Sequence, residues 1–297
     1  MYQFLLPYIR NYLTGIDGNW VRLPDSFLLE MAVFAISGLE ARTRFSFRWR
    51  NIVGIHTSDK TFGSFEVDSD LKITNPSWTS VLPGGTVEDA SGRRFVFNGI
   101  GPDGTLLNVY PDPLQFTPQN PLRIVADATE LGYDYEWDDM LTPTIDLNQR
   151  PVRQVHEVNV QLVNLRMITV PNNWVQVHDS GFSVVPFSAP GFIFGAALVP
   201  FGGGHIPGGW NVKYSAGVLP HEFDGRWGDL RVLAVKAAVV EVLKAVREGR
   251  HPGLVSVGIA QMGVSEGFSR FAQTIQTLEM DIERILSTLS GSYIFVA

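Results

Sequence analysis

Residues 210–249 read WNVKYSAGVLPHEFDGRWGDLRVLAVKAAVVEVLKAVREG: a short strand, a turn punctuated by Gly217 and Pro220, then a long helix. From Asp229 to Glu248 the residues are good helix formers, with Ala234, Ala237, Ala238 and Ala245 set among Leu230, Leu233, Val235, Val239, Val242 and Leu243. Apolar residues on most sides predict a helix packed on most sides. Its charges agree, because Glu241, Lys244 and Glu248 share one narrow stripe while Arg231 and Lys236 fall near its border. Asp229 suits the positive end of the helix dipole, and Gly249 offers a left-handed stop. The stretch specifies a core element and no chemistry.

Around this helix, the 297 residues are enough for one large domain or two. A hydrophobic content of 45% with 18% charged residues excludes general disorder. The chain has no cysteine, which removes disulfides, thiolate metal sites and thiol nucleophiles together. A net charge of -7 argues against a protein coated in nucleic acid but leaves room for a local basic surface. The opening MYQFLLPYIRNY lacks a basic leader, so no export signal is expected. The longest apolar run, Gly191 to Phe201, is too short to cross a bilayer and contains Pro200, so the expectation is a soluble protein with no membrane contact.

Three segments emerge along the chain: an N-terminal arm and helix over 1–50, an inserted β-rich subdomain over 51–145, and a β layer with C-terminal helices over 146–297. Residues 1–20 read as aromatic and irregular around Pro7, Gly15 and Gly18, and a helix is predicted from about Phe27 to Ala41. In ARTRFSFRWRN, Arg42, Arg44, Arg48 and Arg50 alternate with Phe45, Phe47 and Trp49, which predicts a strand cationic on one face and aromatic on the other. Such arginines are either solvated and paired with carboxylates or aimed at a phosphate backbone or acidic partner. Turns at Pro83-Gly84-Gly85, Ser91-Gly92 and Pro102-Asp103-Gly104 mark the β-rich insertion. Within it, Asp134, Glu136, Asp138 and Asp139 form an acidic aromatic patch that could serve a glycosidase, bind Ca²⁺, or be an ordinary solvated loop. Strands are predicted at 152–163, 165–170, 174–177 and 182–185, followed by an apolar, glycine-rich loop over 187–209 suited to a subunit contact.

The last helix has the cleanest periodicity. Phe268, Phe271, Ile275, Leu278, Ile282, Ile285 and Leu289 make a heptad seam, to pack either on the Ala-rich helix or on a neighbouring subunit. The helix is expected to stop near Ser290 at Gly291, leaving Tyr293, Ile294, Phe295 and Val296 as an apolar tail that either folds back on the chain's own helices or, the favoured reading, docks on the portal or a neighbouring subunit. The motifs tested for chemistry fail. Gly202-Gly203-Gly204 has no lysine after it, His221-Glu222 has no second histidine one turn on, and no nucleophile-elbow sequence accompanies the serines. No catalytic residue, metal ligand or cofactor is expected.

Several of these stretches together resemble the head-to-tail connector (adaptor) proteins of tailed bacteriophages. Lys213-Tyr214-Ser215-Ala216-Gly217, Leu219-Pro220 and the helix opening at Asp229-Leu230 carry the resemblance. Arg150-Pro151-Val152, the run from Val170 to Trp174, Gly263-Val264-Ser265 and the first helix extend it over residues 21–50 and 146–297. The resemblance implies an α+β virion structural protein of the neck, made in the host cytoplasm, without enzymatic turnover. It implies a ring of about a dozen copies that joins the portal to a tail-side neck or terminator protein and passes genomic DNA through its channel. Arg42, Arg44, Arg48 and Arg50 would then face DNA or an acidic neighbour, and the C-terminal tail would meet the portal. A carbohydrate-binding or cleaving tail component is the alternative that the acidic patch suggests.

Overall fold

The computed structural model describes residues 2–16, 23–75, 78–111, 117–136, 144–161, 167–185, 205–248 and 264–294. It is a mixed α+β structure in two compact units, one formed by Met1–Thr43 with Pro220–Ala297 and the other by Arg44–Leu219. These units cut the chain differently from the three segments read in the sequence.

The helical unit contains α1 (Leu6–Ile16), α2 (Asp25–Thr43), α3 (Gly228–Arg247) and α4 (Val264–Ile294). The expectation of an irregular N-terminus is corrected by α1. Its Pro7 falls in the first turn, where a missing N–H costs nothing, and Leu5, Ile9 and Leu13 recur at helical spacing and are buried. The central helix is α3, with Leu233, Ala234, Ala238, Val239 and Val242 all buried on its different sides and α1, α2 and α4 packed on it. Its small alanines let those helices approach closely. The seam of α4 is buried at Ile275, Leu278 and Ile282, and α4 packs on α3 as the heptad spacing predicts; the side chains of Phe268 and Phe271 lie outside the described residues. Replacing Leu278, 3% exposed, by alanine is expected to lower stability by about 2–5 kcal/mol in denaturant unfolding. A change below about 1 kcal/mol would mean that α4 does not depend on this seam.

In the β unit, β1 (Arg50–Gly54), β7 (Ala128–Glu130), β8 (Tyr133–Glu136), β10 (Val152–Gln161), β11 (Met167–Thr169) and β14 (His205–Ala216) form a six-stranded sheet. Strand β14 is its axis, with β10 along one side and β1 and β8 along the other. A second sheet runs β12 (Val175–Val177), β13 (Gly181–Val184), β9 (Thr144–Asp146). The two share a core in which Phe182 meets Trp210 edge-on at 6.3 Å between ring centroids. The third sheet orders β3 (Ile73–Asn75), β2 (Thr61–Val67), β6 (Leu122–Val125), β4 (Gly84–Glu88), β5 (Arg94–Asn98) around its own core of Phe65, Val87, Phe95, Phe97, Leu122 and Ile124. The separately cored segment is thus narrower than the 51–145 read in the sequence. Strands β1, β7 and β8 pair in the sheet built on β14 instead.

Candidate functional site

The four arginines do not share a strand face, which corrects that expectation. Helix α2 runs on through Arg42 to Thr43, and Arg44 takes a left-handed φ of 60° as the chain leaves it. Phe45, Ser46, Phe47, Arg48 and Trp49 are then all buried, so alternation is lost. Arg42 is exposed and paired with Glu283 of α4. Arg48 is nearly buried, and its Nη1 donates to Asp127 Oδ1 at 2.8 Å. Burial of an arginine in water-free surroundings demands a carboxylate, and Asp127 supplies it.

Asp127 joins Arg48 to a larger buried polar face. Its carboxylate also accepts from the Asn51 N–H at 2.7 Å and from Thr86 Oγ1 at 2.7 Å. Strand β14 explains why such a face exists. Trp210, Val212, Tyr214 and Ala216 point into the apolar core, whereas the alternating Asn211, Lys213 and Ser215 point the other way, yet they too are buried. Lys213 Nζ donates to the carbonyls of Asp59 and Thr61 at 3.1 and 2.6 Å and lies over the Phe62 ring. Asn211 Nδ2 donates to Thr57 Oγ1.

Ser215 Oγ and His156 Nε2 are 2.8 Å apart, the spacing of a nucleophile and its base. The hydrogen bonds run the wrong way for that chemistry. Ser215 donates to Asn51 Oδ1 at 2.7 Å, so His156 donates to Ser215, and the hydroxyl is fully buried. Burial first, and then the Lys213 charge, push the His156 imidazole down to about 4, so it is neutral at physiological pH. The unfolded chain takes up this proton near the ordinary value of 6.5, while the folded protein resists it until about 4. Stability is therefore expected to fall as pH drops through that window, by roughly 2–3 kcal/mol. His156→Gln should flatten this part of the pH profile relative to the parent; identical profiles would contradict the assignment.

A third buried group lies at Glu130, whose Oε2 accepts from both the Tyr133 and Tyr214 hydroxyls. Burial above all, with the Glu130 charge adding to it, raises both phenols, so neither ionises in the working range. Asn148 and Gln149 donate backbone N–H groups to these hydroxyls, so the cluster ties strands together. Of the acidic patch, Asp134 accepts from the Gly208 N–H at 2.9 Å and Glu136 ends β8, while Asp138 and Asp139 lie outside the described residues. Among the described residues no group of three or more potential ligands could hold a metal ion, and no helix is long and apolar enough to cross a membrane.

The helical unit carries an open feature. A groove of about 640 Å³ lies between α2, α3 and α4. Its floor is apolar, made by Ala35, Ala237, Val240 and Ile282, and its rim carries Arg42, Lys244, Glu279 and Glu283. Lys244 pairs with Glu279 at 2.9 Å and with Glu241, which also lines the groove, at 3.4 Å, and Arg42 pairs with Glu283, so both cations of the lining are matched by carboxylates. No protein-family model matches the chain, and no curated protein matches it. Large apolar side chains stand exposed on the same unit, Phe34 of α2 at 65% and Met280 of α4 at 60%. Sequence reasoning missed Phe34, although an apolar residue opposite the Leu28, Ala32, Ile36, Leu39 face was visible in the helical spacing. Helix α4 continues through Gly291 to Ile294, correcting the expected stop at Ser290; Phe295 and Val296 lie outside the described residues, as do the side chains of Tyr293 and Ile294.

Proposed function

We propose that this chain is a virion structural protein, a ring-forming head-to-tail connector that joins a phage portal to the tail and lets DNA pass through its channel, without catalytic turnover. The supporting observation is the pair of exposed apolar sites on different helices, Phe34 on α2 and Met280 on α4. A cyclic ring needs two different patches on each subunit, one for each neighbour, and a single patch would close a dimer. The sequence resemblance points the same way. Of the four arginines, Arg42 and Arg44 are exposed, Arg50 is half-buried at the start of β1 and Arg48 is committed to Asp127, so any DNA contact falls first to Arg42 and Arg44.

Light scattering coupled to size-exclusion chromatography, followed by negative-stain imaging with purified portal, tests the reading. The expected result is a ring of about a dozen copies seated on the portal. A chain that forms no ring with or without portal would overturn it. Saccharide-dependent fluorescence, or glycan hydrolysis that Glu136→Gln abolishes, would favour a carbohydrate-acting tail component.

A further inference from the structure

The apolar residues of α2 run round its whole circumference. Leu28, Ala32, Ile36 and Leu39 are buried, whereas Val33 and Phe34 are exposed on other sides. A helix that is apolar all round is normally covered all round. Glu30, Phe34, Gly38 and Arg42 recur at every fourth residue and form one ridge, and its last three residues line the lip of the groove. A Cβ added at Gly38 would meet nothing within 4 Å, so the missing side chain leaves an open hole in the ridge, between Phe34 and Arg42, one turn from the Phe34 knob. Glu30 is exposed and enters no ion pair among the described residues. Arg42 is exposed, and its pair with Glu283 is solvated at both ends.

We propose that a second copy of this chain docks on this ridge, α2 against α2 and antiparallel, about a two-fold axis that crosses the ridge midway between Phe34 and Gly38, at the level of Ile36 but on the opposite side of the helix from its buried side chain. Phe34 and Gly38 lie equally far from Ile36 in opposite directions, and so do Glu30 and Arg42. The axis therefore sets each Phe34 into the hole over Gly38 of the second copy and each Glu30 against Arg42 of the second copy. Two ridges of this kind lie alongside each other when the helix axes cross at about 50°. Knob, hole and charges all match under one operation, which identifies a second copy as the occupant. The pair is closed and cannot extend round a ring. Its consequence, which alone rests on the connector reading, is that free subunits store α2 in pairs that must open before α2 can serve a ring contact.

Sedimentation velocity of the full chain over a wide concentration range tests the pairing. The parent is expected to show a monomer–dimer equilibrium, weakened about tenfold or more by Phe34→Ala and by Gly38→Leu. Glu30→Arg and Arg42→Glu should each weaken it, and the two together should restore it, a rescue that misfolding cannot imitate. Because the chain lacks cysteine, Ser37→Cys should cross-link to itself through a short bismaleimide, whereas Ser64→Cys should not. A parent that stays monomeric throughout, or a dimer indifferent to all four substitutions, would overturn the pairing. Portal-bound rings are scored separately by imaging: rings without the pair sink only the pairing, and the pair without rings sinks only the connector reading.

Discussion

Replacing Asp127 by alanine is expected to lower the stability of the β unit by about 3–5 kcal/mol, because it strips the carboxylate from a buried guanidinium. The side chain of Asp127 is 1% exposed and that of Arg48 is 11% exposed, so water cannot take the carboxylate's place. The loss reaches further than the ion pair. The Asn51 N–H and the Thr86 hydroxyl lose the same acceptor. Replacing both charged partners with apolar residues, Arg48→Met with Asp127→Leu, is expected to cost less than the single change, since no charge is then left buried, although the Asn51 N–H and the Thr86 hydroxyl still lose their acceptor. Denaturant unfolding followed by tryptophan fluorescence measures both. A single variant within about 1 kcal/mol of the parent would show that the network carries little of the unit's stability.

Gly217→Ala should be comparably damaging, with an expected loss of at least about 3 kcal/mol. Gly217 has a φ of +115°, a conformation that side chains rarely adopt, and a Cβ there would stand 1.9 Å from the Arg48 carbonyl oxygen. The obstruction is backbone, so no rotamer change relieves it. The Gly217 N–H also donates to the Pro151 carbonyl at 2.8 Å, and Arg153 Nε donates to the Gly217 carbonyl at 2.8 Å, which pins the residue from both sides. Soluble expression with parental thermal unfolding would contradict this account. The same measurement on Gly38→Ala provides the contrast, since a methyl group there enters open space and improves helix propensity.

The difference between these two glycines shows what could be read from the sequence. Period and composition specify elements, and they gave the α3 helix, the seam of α4 and the strands from β10 to β13 close to their observed bounds. They also gave the mixed α+β class. What they could not give, for α2 and for β14, is which sides of the element are covered. The alternation in ARTRFSFRWRN suits a strand, but helix propensity carries α2 through Thr43, and tertiary burial then takes Arg48 inside. The buried polar face of β14 was written in the alternation of Asn211, Lys213 and Ser215. Without knowing that the strand is central, that pattern reads as a solvated face. For the groove, the four-residue spacing of Phe34 and Gly38 is visible in the sequence, but only the packing of α2 and α4 on α3 leaves a space there.

The β unit is one unbroken stretch, Arg44–Leu219, whereas the helical unit is assembled from both ends of the sequence. Strands β1 and β14 are antiparallel neighbours with Arg50 opposite Ala216, so the chain enters and leaves the β unit side by side. On the ribosome this imposes an order. Helices α1 and α2 emerge first, but α3, the surface they pack on, is not made until the whole β unit has been translated, about 10–35 s later at ordinary elongation rates. The β unit can fold during that interval. Through the same interval Leu28, Ile36 and Leu39 are uncovered as well as Phe34, so α2 presents apolar side chains on all its sides until α3 arrives.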